Sequence, residues 1–289
     1  MRSPDRAEHR LSTQRSALPG PGARPSSDAP PNPVQTIVNR LRSAFARRFL
    51  LSVRRATHRL PVQLETLRRQ RVLVVAPHMD DEVIGCGGTL LLHRALQSDV
   101  RVVFVSDSSG AVDDPGLART LRDVRRAEMM KVRDVLALGS IVELGFADGA
   151  LMSHEDAIAA RLAEELRTFR PAQVLCPFPA DGHADHQATA VALGRATRLA
   201  GWHGEVLAYE VWSTLWPNMA VDIGAVADEK ARLIRMYASE MGDRDYAAAV
   251  LGLNRYRGMQ HRVELAEAFH RCDAVQFRAL TACLESFDS

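Results

Sequence analysis

Short apolar runs alternate with amphipathic segments along most of the chain, and this alternation predicts both strands and helices. The first run, Arg71–Ala76, is apolar after its first residue and is followed by Pro77, as in a strand buried on both faces. Further apolar runs predict strands at residues 102–105, 141–144, 174–176 and 205–211. Helical periodicity marks residues 89–95, 121–138, 157–169 and 189–199. From Asp228 onward the pattern predicts mainly helix, with a last element near residues 272–275.

Strands that alternate with helices form βαβ units, in which neighbouring strands run parallel and the helices cover the sheet. The rules of handedness then favour a doubly wound sheet. The fold predicted for residues 71–289 is therefore α/β, a Rossmann-like three-layer α/β/α sandwich with a mostly parallel sheet.

Two different segments precede this domain. Residues 1–33 are rich in Pro, Ser, Gly, Ala and Arg, a composition that buries too little apolar surface to fold, so we expect disorder. Residues 34–70 are predicted to form a basic amphipathic helical region. Its apolar stripe fits two interpretations: peripheral contact of residues 34–60 with a membrane surface or anionic partner, or packing on its own domain or a second copy in a homo-oligomer.

Charge is distributed unevenly, although the net charge is only +2. Residues 1–71 contain fifteen arginines, no lysine and four acidic residues, so a basic arm precedes an acidic body. The arm lacks interleaved aromatic residues, so no nucleic-acid partner is predicted. No signal peptide or membrane-spanning run is recognisable, and the four cysteines form no C-x-x-C pair. We expect a cytoplasmic protein, with peripheral binding at the inner face of the membrane as the alternative. The chain has only two lysines, which suggests a GC-rich bacterial genome.

Two polar clusters follow predicted strands, where open α/β sheets bind their ligands. The first cluster is residues 77–82, Pro-His-Met-Asp-Asp-Glu, and the second is residues 181–186, Asp-Gly-His-Ala-Asp-His. Two histidines and a carboxylate from two such loops can form a metal site with an open position, as in catalytic zinc centres. The same donor set also occurs in non-haem iron sites.

Simpler interpretations exist for each cluster. A histidine at the end of a strand is often a structural hydrogen-bonding residue, and adjacent aspartates often form a turn or cap a helix. The sequence Gly-Cys-Gly-Gly at residues 85–88 could suggest phosphate binding, but it lacks the G-x-G-x-x-G spacing.

The combination of motifs resembles the LmbE-like/PIG-L N-acetylglucosaminyl deacetylases. Residues 76–82 resemble the family's A-H-P-D-D-E-type signature, and residues 183–186 resemble its H-P-D-H-type signature. Residues 125–128 resemble the family's R-x-x-E element, and residues 147–149 a further acidic turn; residues 209–211 and 266–269 also look familiar. Met79 and Ala184 stand where the family has proline, which changes loop rigidity more than chemistry.

The resemblance implies roles for eight residues. The metal ligands would be His78, Asp81 and His186. Among the catalytic groups, Asp80 would be the general base, His183 would stabilise the oxyanion or donate a proton, and Asp185 would orient a histidine. The substrate-binding residues would be Arg125 and Asp148. An ion pair between Arg125 and Glu128 is the alternative for that element.

The predicted function is a Zn²⁺-dependent hydrolase, with Fe²⁺ as a possible substitute, that removes an N-acyl group from a glucosamine-type sugar or its conjugate. By resemblance the acyl group is acetyl. Two alternatives share the same residues: an amidase for a non-sugar amide such as a thiol conjugate, and a binding module in which the metal is not catalytic.

Overall fold

The computed structural model describes Arg48 and residues 63–110, 112–242 and 245–285. The chain divides into two compact units, Met1–Ala46 and Arg47–Ser289, and every described residue belongs to the second unit. The predicted disordered segment, residues 1–33, lies outside the described residues. So does the predicted basic helical region up to residue 62, apart from Arg48.

The described part of the chain contains eight strands and eight α-helices. The strands are β1 Gln63–Leu64, β2 Arg71–Ala76, β3 Asp99–Ser106, β4 Ser140–Phe146, β5 Gln173–Pro177, β6 Glu205–Tyr209, β7 Met219–Asp222 and β8 Ala266–Asp273. The helices are α1 Asp81–Ala95, α2 Pro115–Leu136, α3 Glu155–Phe169, α4 Ala184–Ala200, α5 Ala227–Met236, α6 Ala238–Met241, α7 Tyr246–His261 and α8 Ala274–Glu285. Short 3-10 helices cover Leu151–His154 and Gly224–Val226.

All eight strands belong to one sheet with the order β1-β7-β8-β6-β5-β2-β3-β4. Strands β2 to β6 run parallel to one another, and β8 runs antiparallel to both of its neighbours, β6 and β7. From β2 the chain moves outward through β3 and β4, and it then returns to place β5 on the other side of β2. The carboxyl ends of β2 and β5 therefore meet at a topological switch point, where such sheets bind ligands.

The alternation of side chains along β2 shows how the sheet is covered on both faces. Val72, Val74 and Ala76 pack into one apolar cluster, which includes residues of α1, α2, α5 and α7. Leu73 and Val75 pack into a second cluster, which includes residues of α3, α4 and α8. Because successive side chains of a strand point to opposite faces, a strand between two helical layers must be apolar throughout.

The predicted fold class is confirmed, but two local predictions are wrong. Residues 266–273 were expected to be mainly helical and instead form β8, which pairs with β6 and β7. Its polar residues Glu267 and His270 are buried, so the segment does not show the alternation of a half-exposed strand. Strand β6 ends at Tyr209 rather than at residue 211.

Helix α1 begins at Asp81, eight residues earlier than predicted, and it includes the Gly-Cys-Gly-Gly sequence. The helix is kinked at Cys86, whose φ and ψ are non-helical. A Cβ atom on Gly85 would lie 2.2 Å from Cδ2 of Tyr209. The glycine at this position therefore lets α1 approach β6 closely, which is a packing role rather than a phosphate-binding one.

None of the helices in the described part of the chain is long and apolar enough to span a bilayer. Three of the cysteines, Cys86, Cys176 and Cys272, are buried thiols in the core, as expected. Residues 63–70 were predicted as the end of the basic helical region, but they form no helix: strand β1 lies there and pairs with β7.

Candidate metal centre

Three predicted ligands converge at the carboxyl ends of β2 and β5. Nδ1 of His78 and Nε2 of His186 each lie 3.3 Å from Oδ2 of Asp81. One donor atom from each of the three residues lies within 4.8 Å of the other two. The three residues span more than 100 positions of sequence, and the parallel pairing of β2 with β5 brings them together.

The second nitrogen of each histidine ring faces a carboxylate. Nε2 of His78 lies 3.2 Å from Oδ2 of Asp185 and 3.3 Å from Oδ1 of Asp148. Nδ1 of His186 lies 3.1 Å from Oδ1 of Asp181. Carboxylates in this position fix the orientation and tautomer of metal-binding histidines and raise their basicity. The site is therefore a set of three donors supported by three orienting acids.

Backbone amides hold the orienting acids in place. The two carboxylate oxygens of Asp185 accept hydrogen bonds from the N–H groups of Gly149, at 2.7 Å, and Leu151, at 3.1 Å. Asp181 is fully buried and accepts from the N–H of Trp212 at 3.0 Å. Sequence reasoning placed Asp185 as an orienting residue but missed this position for Asp181, although Asp181 stands in the same motif as His186.

The donor set suits a divalent cation. Nε2 of His186 is buried and makes no well-aligned hydrogen bond among the described residues, although Oδ2 of Asp81 lies 3.3 Å away. Burial acts to raise the pKa of Asp81, but the two adjacent histidines outweigh it and hold that pKa far below its usual range. An anionic carboxylate oxygen that lies 3.3 Å from a nitrogen of each of two histidine rings is an arrangement that a metal ion would satisfy.

Asp80 has an unusual backbone conformation next to these donors. Its φ is 141°, a region that non-glycine residues rarely occupy and that costs energy. It stands at the N-cap position of α1, but its side chain makes no capping hydrogen bond. Burial and then the negative charge of Asp81 raise its pKa well above the usual range. The capping alternative is therefore wrong for Asp80, whose side chain lines a cavity instead.

His183 stands on the other side of the donors, with its ring 5.0 Å from that of His78, centroid to centroid. It precedes α4, and its Nδ1 accepts a hydrogen bond from the N–H of Asp185 at 3.2 Å. Burial, and then the charges of His186 and His78, lower its pKa. The neutral ring therefore carries its proton on Nε2, where it is available as a hydrogen-bond donor.

Arg125 and Asp148, the predicted substrate-binding residues, both line the cavity. Nε of Arg125 lies 2.6 Å from Oε1 of Glu240, and one of its terminal nitrogens lies 3.8 Å from Oδ2 of Asp148. Glu128 instead accepts hydrogen bonds from the backbone and the hydroxyl of Ser239. Arg125 thus pairs with a residue of α6, which sequence reasoning missed, and not with Glu128.

A cavity of about 560 Å³ opens from the candidate metal centre. Six of its polar lining residues belong to the predicted set: His78, Asp80, Asp81, Arg125, Asp148 and His183. Helix α7 contributes an apolar side that no motif predicted. Ligand-binding sites commonly have this size and this mixture of apolar walls with a few polar groups.

The fold and the site define an α/β protein with a candidate metal centre at the switch point of its sheet. Residues 73–197 match the family model described as PIG-L: GlcNAc-PI de-N-acetylase. The chain belongs to the PIG-L (LmbE-like) family of deacetylases, as the sequence motifs predicted.

Two curated relatives and one solved structure illustrate the similarity. 2'-N-acetylparomamine deacetylase of Streptomyces fradiae is 28% identical over 214 residues, which is 62% of this chain and 76% of the relative. Diacetylchitobiose deacetylase of Thermococcus kodakarensis is 29% identical over 188 residues, 59% of this chain and 70% of the relative. A conserved protein of Thermus thermophilus is 30% identical and has a TM-score of 0.60, covering 68% of this chain and 92% of that structure.

Proposed function

We propose that the chain is a zinc-dependent hydrolase that removes an N-acyl group, in the simplest case acetyl, from a glucosamine-type sugar or its conjugate. The observation that carries this proposal is the convergence of His78, Asp81 and His186 on one point at the edge of a cavity. Each of the two histidines is backed by a carboxylate, as metal-binding histidines require.

The three donor atoms that would hold the ion are Nδ1 of His78, Oδ2 of Asp81 and Nε2 of His186. An ion bound there supplies Lewis acidity, which acidifies water and polarises the amide carbonyl. Two histidines and one carboxylate suit zinc in hydrolysis and also suit ferrous iron, so Fe²⁺ is the substitute to test.

Asp80 is proposed as the general base. It takes a proton from the attacking water and delivers it to the nitrogen of the leaving amine, so the C–N bond breaks without forming an amide anion. Its lack of a capping bond supports this role, because the carboxylate is left available to the cavity. Its strained backbone is also typical of functional positions.

His183 is proposed to stabilise the oxyanion that forms as water adds to the carbonyl. Its Nε2–H is the donor left after Nδ1 has accepted from the backbone. Donors of this kind typically contribute about 3–4 kcal/mol to lowering the barrier. Arg125 and Asp148 line the same cavity and are proposed to bind sugar hydroxyls, in addition to the contact between them and the contact of Asp148 with His78.

The amino-sugar substrate is proposed from the family and from the relatives. The family model describes a de-N-acetylase, and both curated relatives are named as deacetylases of N-acetylated amino sugars. A cavity of about 560 Å³ has room for more than the acyl group alone.

The decisive experiment measures bound metal and acetate release together, with the full-length protein and N-acetylglucosamine derivatives. We expect about one zinc per chain, because the only other group of three possible ligands among the described residues, His78, His183 and Asp185, shares His78 with the first. His186→Ala should lose both metal and activity. The matched control is His203→Ala, which removes an exposed histidine outside the cavity and should retain both.

Asp80→Asn separates chemistry from metal binding. Because Asp80 is not one of the three donors, this variant should keep its zinc while hydrolysis falls by about 10²- to 10⁴-fold. Asp113→Asn, at an exposed position, is the matched control. Metal binding with no acetate release in the unchanged protein would redirect the search to other amides. Absence of bound metal would contradict the proposal.

A further inference from the structure

The lining of the cavity at the candidate metal centre includes two patches of different chemistry. One patch, here the polar wall, consists of Arg125, Asp148 and Glu240, in which the arginine contacts both acids. The other patch, here the apolar wall, consists of Ile84, Val211, Val250 and Leu253. These four residues come from α1, from the segment that follows β6, and from α7.

The apolar wall also bounds a second, smaller cavity. This space has a volume of about 20 Å³, and all four residues of the apolar wall line it, whereas no residue of the polar wall does. It has room for about one water-sized group. The two walls therefore occupy separate parts of the lining, and the smaller space adjoins the apolar wall, with the polar residues Glu210 and Asn254 also lining it.

The apolar wall lies close to the reacting groups. Ile84 lies in the first turn of α1, four residues after Asp80, and both side chains line the cavity. Val211 follows the carboxyl end of β6, the strand next to β5 in the sheet. A substrate whose carbonyl lies beside Asp80 therefore has the apolar wall within reach of its next few atoms.

An N-acyl sugar has a polar end and an apolar end, just as the cavity has a polar wall and an apolar wall. The sugar carries hydroxyl groups, and burying them against Ile84, Val250 and Leu253 without hydrogen-bond partners costs free energy. The acyl chain carries no polar group beyond its carbonyl, and its burial is favourable. The sugar therefore suits the polar wall, and the acyl chain suits the apolar wall.

We propose that the apolar wall is an acyl-chain site, so that the enzyme prefers N-acyl groups longer than acetyl. This inference rests on the proposed amide hydrolysis. In the reaction, the oxygen of water bonds to the acyl carbon, the C–N bond breaks, and the amine nitrogen takes the proton. The chain leaves as a short-chain carboxylate, and the sugar keeps a free amine.

The test compares N-acetyl-, N-butanoyl- and N-hexanoylglucosamine with the full-length, zinc-loaded protein, by measuring release of the free amine common to all three. Each methylene buried at the wall should raise kcat/KM by about fourfold. We expect N-butanoylglucosamine to be hydrolysed about tenfold faster than the acetyl compound, or better. Equal rates, or a preference for acetyl, would overturn the acyl-chain site while leaving the deacetylase function intact.

Substitutions in the apolar wall test whether the preference for longer acyl groups arises there. Leu253→Phe and, independently, Val250→Phe fill the space, so each should lower the ratio of butanoyl to acetyl kcat/KM by about tenfold. The ratio is taken within one protein sample, so partial misfolding does not affect it. Met259→Phe is the matched control on α7, because Met259 is 66% exposed and outside the cavity lining. An unchanged ratio in both wall variants would overturn the assignment.

A further arm distinguishes an acyl chain from an apolar group on the sugar. Octyl N-acetylglucosaminide carries its apolar chain at the anomeric position and keeps the acetyl group. The proposal is wrong if kcat/KM rises for octyl N-acetylglucosaminide but not for N-butanoylglucosamine, and if Leu253→Phe abolishes that rise. The apolar wall would then bind an aglycone. Absence of hydrolysis of every compound would overturn the proposed function together with this inference.

Discussion

Helix α1 contacts two buried polar clusters that differ in how completely their hydrogen bonds are formed. At the kink, Nζ of Lys230 lies 2.6 Å from Oε1 of Glu267 and 3.0 Å from Oδ1 of Asn254. The carboxylate of Glu267 also accepts from the backbone N–H groups of Gly88 and Thr89, at 2.7 and 2.8 Å. This cluster is closed, because its charges are paired and the amides released by the kink are bound.

The candidate metal centre at the start of the same helix is open. Nε2 of His186 makes no well-aligned hydrogen bond in the described part of the chain, although Oδ2 of Asp81 lies 3.3 Å away, and the side chain of Asp80 makes no capping bond despite its strained backbone. Both clusters contain buried charged groups, although His78 and Asp80 are only half-buried whereas Lys230 and Glu267 are fully buried. A functional site is therefore distinguished from a structural cluster by unsatisfied polar atoms beside a cavity, and not by buried charge alone.

The largest expected effect on folding concerns the closed cluster. Lys230→Met removes the cation that pairs with Glu267 and leaves a buried carboxylate uncompensated. The free energy of unfolding should fall by about 3–5 kcal/mol. Urea denaturation of the metal-free protein measures the change.

The matched control for that change is Lys131→Met, since Lys131 is exposed and is the only other lysine in the sequence. It should leave the free energy of unfolding within about 0.5 kcal/mol of the unchanged protein. If the free energy of unfolding of Lys230→Met falls by less than about 1 kcal/mol, this cluster does not have the structural role assigned to it.

The next largest expected effect is on the affinity for zinc, and it concerns the acids that orient the metal ligands. Asp181→Asn replaces the carboxylate beside Nδ1 of His186 by a neutral amide and so weakens the basicity of that ligand. We expect affinity for zinc to fall about 10- to 100-fold. Competition with a chromophoric chelator measures this, and Asp113→Asn is the exposed control. An unchanged affinity would show that Asp181 serves the loop that it hydrogen-bonds and not the metal ligand.

The sequence predicted most of the open cluster, because its residues lie in two short motifs placed directly after strands. His78 and Asp81 follow β2, and His186 follows β5, so the α/β pattern predicted that the two motifs meet, while the resemblance to the family assigned these three residues as ligands. Glu240 could not be found in this way. It lies on a four-residue helix without periodicity, and only the folded chain shows that it pairs with Arg125.

The closed cluster was not predicted for a related reason. Glu267 was noted as part of a familiar segment, but its segment was expected to be helical. Its role depends on β8 lying antiparallel between β6 and β7, and on the kink at Cys86, which frees two backbone amides of α1. These are contacts between residues more than 170 positions apart, and local patterns do not encode them.

The smallest expected effect on the free energy of unfolding comes from a comparison of two aspartates at helix N-termini. Oδ1 of Asp114 accepts from the N–H of Leu117 at 2.7 Å and caps α2, whereas Asp80 precedes α1 without a capping bond. Asp114→Ala should lower the free energy of unfolding by about 1 kcal/mol. Asp80→Ala should not lower it, because burial and the charge of Asp81 already disfavour the ionised form, as the raised pKa of Asp80 shows.

The measurement is denaturant unfolding of both variants with a chelator present, because bound metal stabilises the native state and would obscure so small a difference. If Asp80→Ala loses as much stability as Asp114→Ala, Asp80 is a structural residue like its counterpart. If Asp80→Ala keeps or gains stability while losing hydrolysis, the chain maintains a destabilising carboxylate at this position. A residue that contributes no stability and is still required for activity belongs to the chemistry, since sites held for function are commonly not optimal for folding.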